Sequence, residues 1–128
     1  MLWQTSPAAT EMETRITGWL QKMTGLPTDL HGVIQDSASS ATLCALLTAR
    51  EKATDWRPNK EGMNSLSSSL IVYTSEEAHS STEKGAKIAG FGKDSVRLIR
   101  TGNNFEMCPE ALRRNVIEDI SNGHILHV

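Results

Sequence analysis

Apolar residues recur at helical spacing near the start of the chain, where Met12, Ile16, Trp19, Leu20 and Met23 share one face. Ser6 stands where an N-cap belongs, and Pro7 follows at the first helical position, where its missing N–H costs nothing. Gly25 and Pro27 stop the pattern, so a helix is predicted over 5–27 with its Met and Trp stripe packed as core. The β-branched pair Val33-Ile34 predicts a short strand, followed by a polar turn of small residues, Gln35 to Ser40. A second helix is predicted from about Ser39 to Ala53. Its Leu43, Cys44, Leu46 and Leu47 make it apolar on more than one face, the mark of a helix buried in a larger body.

Residues 55–69 are polar and interrupted by Pro58, Gly62 and four serines, which predicts a surface loop with at most a short helical turn. Leu70 to Thr74 is the clearest strand, apolar enough for the interior of a parallel sheet. Ser80 and Glu83 have the spacing of a capping box and predict a helix running to about Ala89, ended by Gly90 and Gly92. Ser95 to Ile99 predicts another strand and Asn103-Asn104 a turn. Pro109 opens a last helix with Ala111, Leu112, Val116, Ile117 and Ile120 on its apolar side, stopped by Gly123. The tail from His124 to Val128 reads as the beginning of one more strand. This alternation predicts an α/β fold, a mostly parallel sheet with flanking helices.

Composition narrows the function more than the fold. The 128 residues are 38% hydrophobic and 22% charged, with a formal net charge of -2, enough apolar content for one core and no excess of positive charge. Neither nucleic acid nor an anionic membrane is an expected partner, and no apolar run is long enough to span a bilayer. Cys44 is expected as a small buried hydrophobe, and a reducing, cytoplasmic compartment is the expectation.

Two places could carry chemistry. In the turn Asp36-Ser37-Ala38-Ser39, small residues and hydroxyls at a helix start suit a phosphate, although Asp36 would repel one. The alternative is that Ser37 or Ser39 simply caps a buried helix. His79 follows an interior strand at the rim where open α/β sheets bind ligands, so it could stack on a planar cofactor, accept a proton or bind a metal. A solvated loop histidine is the alternative. No metal set is expected, because Glu76, Glu77 and Glu83 do not have ligand spacing with His79. GxxxxGK[ST], CxxC, HExxH and G-x-S-x-G are all absent, and Gly90-Phe91-Gly92 follows a helix without dinucleotide spacing.

Four ordered stretches resemble one family. Trp3 to Glu13 is similar to W-x-x-S-P-A-x-T-E-x-E, and GVIQDSASSATLCALLTAR resembles GVIQG[ST]ASE-A-T-x-x-A-L-x-x-A-R. IVYTSEEAHSSTEKGAKIAGFG is similar to Y-[TS]-S-x-x-A-H-S-S-x-x-[KR]-A, and SVRLIRTGNNFEMCPEAL follows in the same order with F-x-M-x-x-x-x-L. These are motifs of the pyridoxal-phosphate-dependent group II amino-acid decarboxylases, the aromatic-L-amino-acid decarboxylase branch above all. The resemblance covers essentially the whole chain.

It implies that residues 1–128 form a single partial domain, the N-terminal-proximal portion of the PLP fold-type I (aspartate-aminotransferase-like) large domain, in an enzyme that is a homodimer. The implied cofactor is pyridoxal 5'-phosphate, the implied substrate a small-molecule α-amino acid, and the implied reaction its decarboxylation to the amine. An aromatic aldehyde synthase on the same scaffold, or a non-catalytic remnant acting as an interaction module, are the alternatives. Ala38 and Ser39 match positions that contact the cofactor phosphate. His79 matches the histidine that stacks on the ring and is implicated in protonation. Trp3, Ser6 and Pro7 match a segment near the substrate entrance and dimer contact. None of Lys22, Lys52, Lys60, Lys84, Lys87 and Lys93 matches the Schiff-base lysine, and Lys84 and Lys87 are read as the exposed side of a helix. Asp36 stands at a family glycine, Ser40 at a glutamate, Gly85 at an alanine and Leu126 at a proline. With both ends of the domain missing, these departures lead us to expect a fragment without activity of its own.

Overall fold

The computed structural model describes residues 3–126, which fall into two compact units divided between Asp36 and Ser37. The first unit contains helix α1, Pro7–Thr24, with Pro7 in its first turn and Gly25 closing it in a left-handed conformation, φ 68°. Ser6 occupies the N-cap position without a side-chain cap bond. The stripe predicted as core is not buried: no residue of α1 is, and Trp19 and Met23 are 60% and 81% exposed.

The expected strand at Val33-Ile34 is absent as well. The Ile34 N–H donates to Glu13 Oε1 at 2.8 Å, and Gln21 Nε2 donates to the Leu30 carbonyl at 3.0 Å. The returning segment is therefore pinned along α1 by side chains and has no ladder partner, and both Val33 and Ile34 stay exposed.

The second unit is the α/β body. Helices α2 (Ala38–Ala53), α3 (Arg57–Glu61), α4 (Ser81–Ile88) and α5 (Pro109–Ser121) accompany strands β1 (Leu70–Ser75), β2 (Val96–Ile99) and β3 (Ile125–Leu126). The sheet order is β2-β1-β3, with both pairings parallel. Val72 pairs with Val96 and Leu70 with Ile125, so β1 is the interior strand that its apolar run predicts. The tail joins this sheet through Ile125–Leu126, while His127 and Val128 lie outside the described residues.

Alternation along β1 divides the packing between the two faces. Leu70 and Val72 join Leu46 of α2, Ala86 and Ala89 of α4 and Phe91 in one apolar cluster. Ile71 is fully buried, and Tyr73, on the same face two residues on, reaches α5, where its hydroxyl donates to Asp119 Oδ2 at 2.8 Å. Arg97 of β2 donates to the same carboxylate, Nη2 to Oδ1 at 2.7 Å and Nε to Oδ2 at 3.1 Å. Residue 119 thus gathers a phenol and a guanidinium from two strands onto one helix. The expected face of α5 holds in part: Ala111 is buried and Leu112 and Val116 half-buried, whereas Ile117 and Ile120 are exposed and the triad buries Asp119 in their place.

Helix α2 departs from its expectation too. Leu46 is buried with Leu43 and Leu47 half-buried against the cluster, but Cys44 is exposed instead of being a core residue. Among the described residues no helix is long and apolar enough to cross a membrane.

Hydrogen bonding from Arg97 holds the Asp119 carboxyl below the usual carboxylate range against the opposing effect of burial, with the Tyr73 hydroxyl adding to the lowering. Burial, reinforced by Asp119, pushes the Tyr73 phenol up. The Asp119 contribution to stability is therefore complete above its unfolded pKa of about 4 and is lost as pH falls through the lower folded value. The Tyr73 contribution is complete below about 10 and is lost as pH rises towards its raised folded value. Asp119→Asn should lower stability by about 2 kcal/mol at neutral pH and flatten the acid limb of a urea-midpoint-against-pH curve.

Candidate cofactor site

The site is built where two helices begin. Ser37 is the N-cap of α2: the Ser40 N–H donates to Ser37 Oγ at 3.2 Å, and the Ser37 N–H donates to Ser40 Oγ at 3.2 Å. Ser40, standing at the family's glutamate, thus closes the reciprocal cap with a shorter side chain. The capping alternative for this turn is therefore realised by Ser37. It does not exclude an anion, because Ser37, Ser39 and Ser40 all line a cavity of about 380 Å³.

The remaining lining comes from His79 and from α4. Ser81, Lys84, Gly85 and Ile88 are spaced i, i+3, i+4 and i+7, one continuous helix face. Leu43 closes the apolar side. An added Cβ at Gly85 would meet Leu46 Cδ1 at 3.2 Å and the Leu43 backbone at 3.8 Å, so glycine is what lets α4 lie this close to α2. Further along, Arg50 Nη1 donates to the Ala89 carbonyl. Contacts 46 with 85 and 50 with 89 advance together, so the two helices run parallel and their N-termini open at the same end. Two positive dipole ends converge there, with the Ser40 and Ser81 amides already donating to Ser37 Oγ and His79 Nδ1.

Strand order places that end. From β1 the chain steps to β2 on one side and returns across β1 to β3 on the other, and ligands in open α/β sheets sit at such reversals, beyond the carboxyl ends of the strands. The exit of β1 is clamped: the Glu76 N–H donates to the Ile99 carbonyl at 2.9 Å, and Glu76 Oε1 accepts from the Thr101 N–H at 2.8 Å. His79 follows this clamp. The predicted Ser80–Glu83 capping box is not formed. Ser80 is helical, with φ -56° and ψ -14°, and makes no side-chain cap bond. Glu83 pairs instead with Lys87 at 2.9 Å, and that hydrogen bond and charge lower its carboxyl pKa.

Of the residues singled out from sequence, Ser39 and His79 line one cavity, and Ala38 is the first residue of the helix whose turn forms it. Trp3, Ser6 and Pro7 lie in the first unit, with Trp3 exposed and the Thr10 N–H donating to the Ser6 carbonyl at 3.1 Å. Lys84 is exposed as expected, but it also contributes the cavity's cation, and it has no ion-pair partner among the described residues. The sequence signal that could have found Lys84 and Ser81 is their shared face with Gly85.

Serine hydroxyls, first-turn amides and an ammonium form a donor set suited to a phosphate ester, and His79 with Leu43 and Ile88 supplies a flat and apolar wall. Residues 1–128 match the sequence profile of the pyridoxal-dependent decarboxylase conserved domain. The chain belongs to this family. It is 38% identical over 131 residues to tyrosine decarboxylase 4 of Petroselinum crispum, covering 96% of this chain and 25% of that protein. It is 37% identical to phenylacetaldehyde synthase of Arabidopsis thaliana, covering 96% of this chain and 26% of the other. The crystal structure of Catharanthus roseus tryptophan decarboxylase in complex with L-tryptophan superposes with a TM-score of 0.82 at 34% identity, over 98% of this chain and 27% of that one. The chain thus spans about a quarter of the length of the relatives it matches. Its fold is that of part of the fold-type I large domain, as the α/β reading predicts.

Ser37→Ala should remove the α2 cap and lower the stability of the second unit by about 1 kcal/mol, read from thermal unfolding, with Ser37→Asp restoring it.

Proposed function

We propose that this chain supplies one wall of the cofactor site of a pyridoxal 5'-phosphate-dependent carboxy-lyase that decarboxylates an aromatic α-amino acid. The observation that carries the reading is the cavity shared by Ser37, Ser39, Ser40, His79 and Lys84 at the parallel N-termini of α2 and α4. In this arrangement Ser39 and the amides of Ala38 and Ser39 would hold the phosphate, and Lys84 would balance its charge. His79 would offer its ring face to the pyridine. The cofactor, when bound, supplies the electron sink that lets carbon dioxide leave.

Both units are assigned to the same large domain. A homodimer in the cytoplasm completes the proposal, supported by the exposed Trp3, Trp19, Leu20 and Met23 and by two unpaired cysteines. The aldehyde-forming reading of the same scaffold is favoured by the Arabidopsis relative, whose identity to this chain nearly equals that of the tyrosine decarboxylase.

None of the lysines matches the family's Schiff-base position, so the 128 residues alone should release no amine from tyrosine, tryptophan or phenylalanine in the presence of the cofactor. Amine formation above the protein-free control would contradict this.

Binding is a separate test. Fluorescence titration of the chain with pyridoxal 5'-phosphate should give saturable binding that Lys84→Ala weakens about fivefold, for the loss of one charge-assisted contact of about 1 kcal/mol. Asp36→Gly should tighten binding by removing a carboxylate one residue before the phosphate turn. Unchanged affinity in both variants would overturn the assignment of this cavity.

A further inference from the structure

His79 does more than border the cavity, because its Nδ1 is engaged twice. The Ser81 backbone N–H points to Nδ1 at 3.2 Å, and Ser81 Oγ lies 3.0 Å from the same nitrogen. A backbone amide nitrogen can only donate, so Nδ1 must present its lone pair. The Ser81 hydroxyl, facing an acceptor, then donates as well. The ring proton of the neutral imidazole is left on Nε2.

The same contact starts a helix. Ser80 makes no cap bond, and the first amide of α4 is satisfied by the His79 ring. The orientation of His79 is thereby tied to α4, which Gly85 and Arg50 hold against α2. We propose that Ser81 is a positioning residue that fixes His79 as its Nε2–H tautomer and sets the plane of the ring in the cavity. The ring then offers a single hydrogen-bond donor, Nε2–H, and keeps Nδ1 away from any ligand. A proton placed on Nδ1 requires the amide contact to break, with Ser81 Oγ turning from donor to acceptor. The consequence for a cofactor ring rests on the role proposed above for His79, but the tautomer itself does not.

The test is a long-range proton–nitrogen correlation spectrum of the imidazoles of the cofactor-free 128-residue chain at about pH 8, where histidine is neutral. Wild type should show His79 as one species, with an acceptor-like Nδ1 shift and a protonated Nε2. Ser81→Ala keeps the backbone amide contact and loses the hydroxyl, so both nitrogen shifts should move part of the way towards the averaged values of free histidine, and Ser81→Thr should restore them. In His79→Ala the Ser81 amide should exchange with solvent about fivefold faster, for the loss of a cap of about 1 kcal/mol. A protonated Nδ1, free-histidine averaging in wild type, or identical shifts in wild type and Ser81→Ala would overturn the inference. Cofactor titration of the same samples separates the two readings. A locked ring in a chain that binds no pyridoxal phosphate supports this inference and overturns the cofactor role. Binding by a chain whose ring is not locked does the reverse.

Discussion

The close approach of α2 and α4 is the constraint from which the candidate site follows. Gly85 has no side chain to hold the helices apart, and Leu46 fills the space against it. A side chain at 85 would press on Leu46 Cδ1, the flexible end of a leucine, so alanine would be accommodated by a small shift that widens the pair. Because the helices run parallel, tightness at their middle fixes the separation of their N-termini. That separation is the width of the mouth between Ser39 and His79. The apolar cluster on β1 anchors both helices from below through Leu70 and Val72, while the Tyr73–Asp119–Arg97 triad secures α5 to the strands.

Local signals were legible wherever the determinant is a few adjacent residues. Pro7 and Gly25 bound α1, Pro109 opens α5, and the apolar run of β1 is the central strand. What could not be read was set by partners remote in sequence. Val33-Ile34 has the composition of a strand, but Glu13 takes the Ile34 amide. The Ser80–Glu83 spacing is that of a capping box, yet an imidazole takes the amide of Ser81 and Lys87 takes the carboxylate of Glu83. On α5 the buried position is Asp119, because two strands present a phenol and a guanidinium to it, and no periodicity of apolar residues can announce that.

The candidate site shows the same division. Ala38, Ser39 and His79 came from motifs whose spacing is local. Lys84 and Ser81 belong to the site only because α4 turns the face bearing Gly85 towards α2. Asp36 retains its significance as the charged departure beside the candidate phosphate turn. Ser40 loses some of its own, since it reproduces the cap that a glutamate would otherwise close. The exposed apolar stripe of α1 and a three-stranded sheet agree with a chain that spans a quarter of its relatives' length.

The central claim is that the mouth of the α2–α4 pair receives a phosphorylated pyridine. The direct measurement is the map of backbone amide shifts on adding pyridoxal 5'-phosphate to the isotope-labelled chain. The account predicts saturable changes concentrated in residues 37–43 and 79–88, with inorganic phosphate reproducing those at 37–40. Changes centred elsewhere, or none at millimolar cofactor, would contradict it.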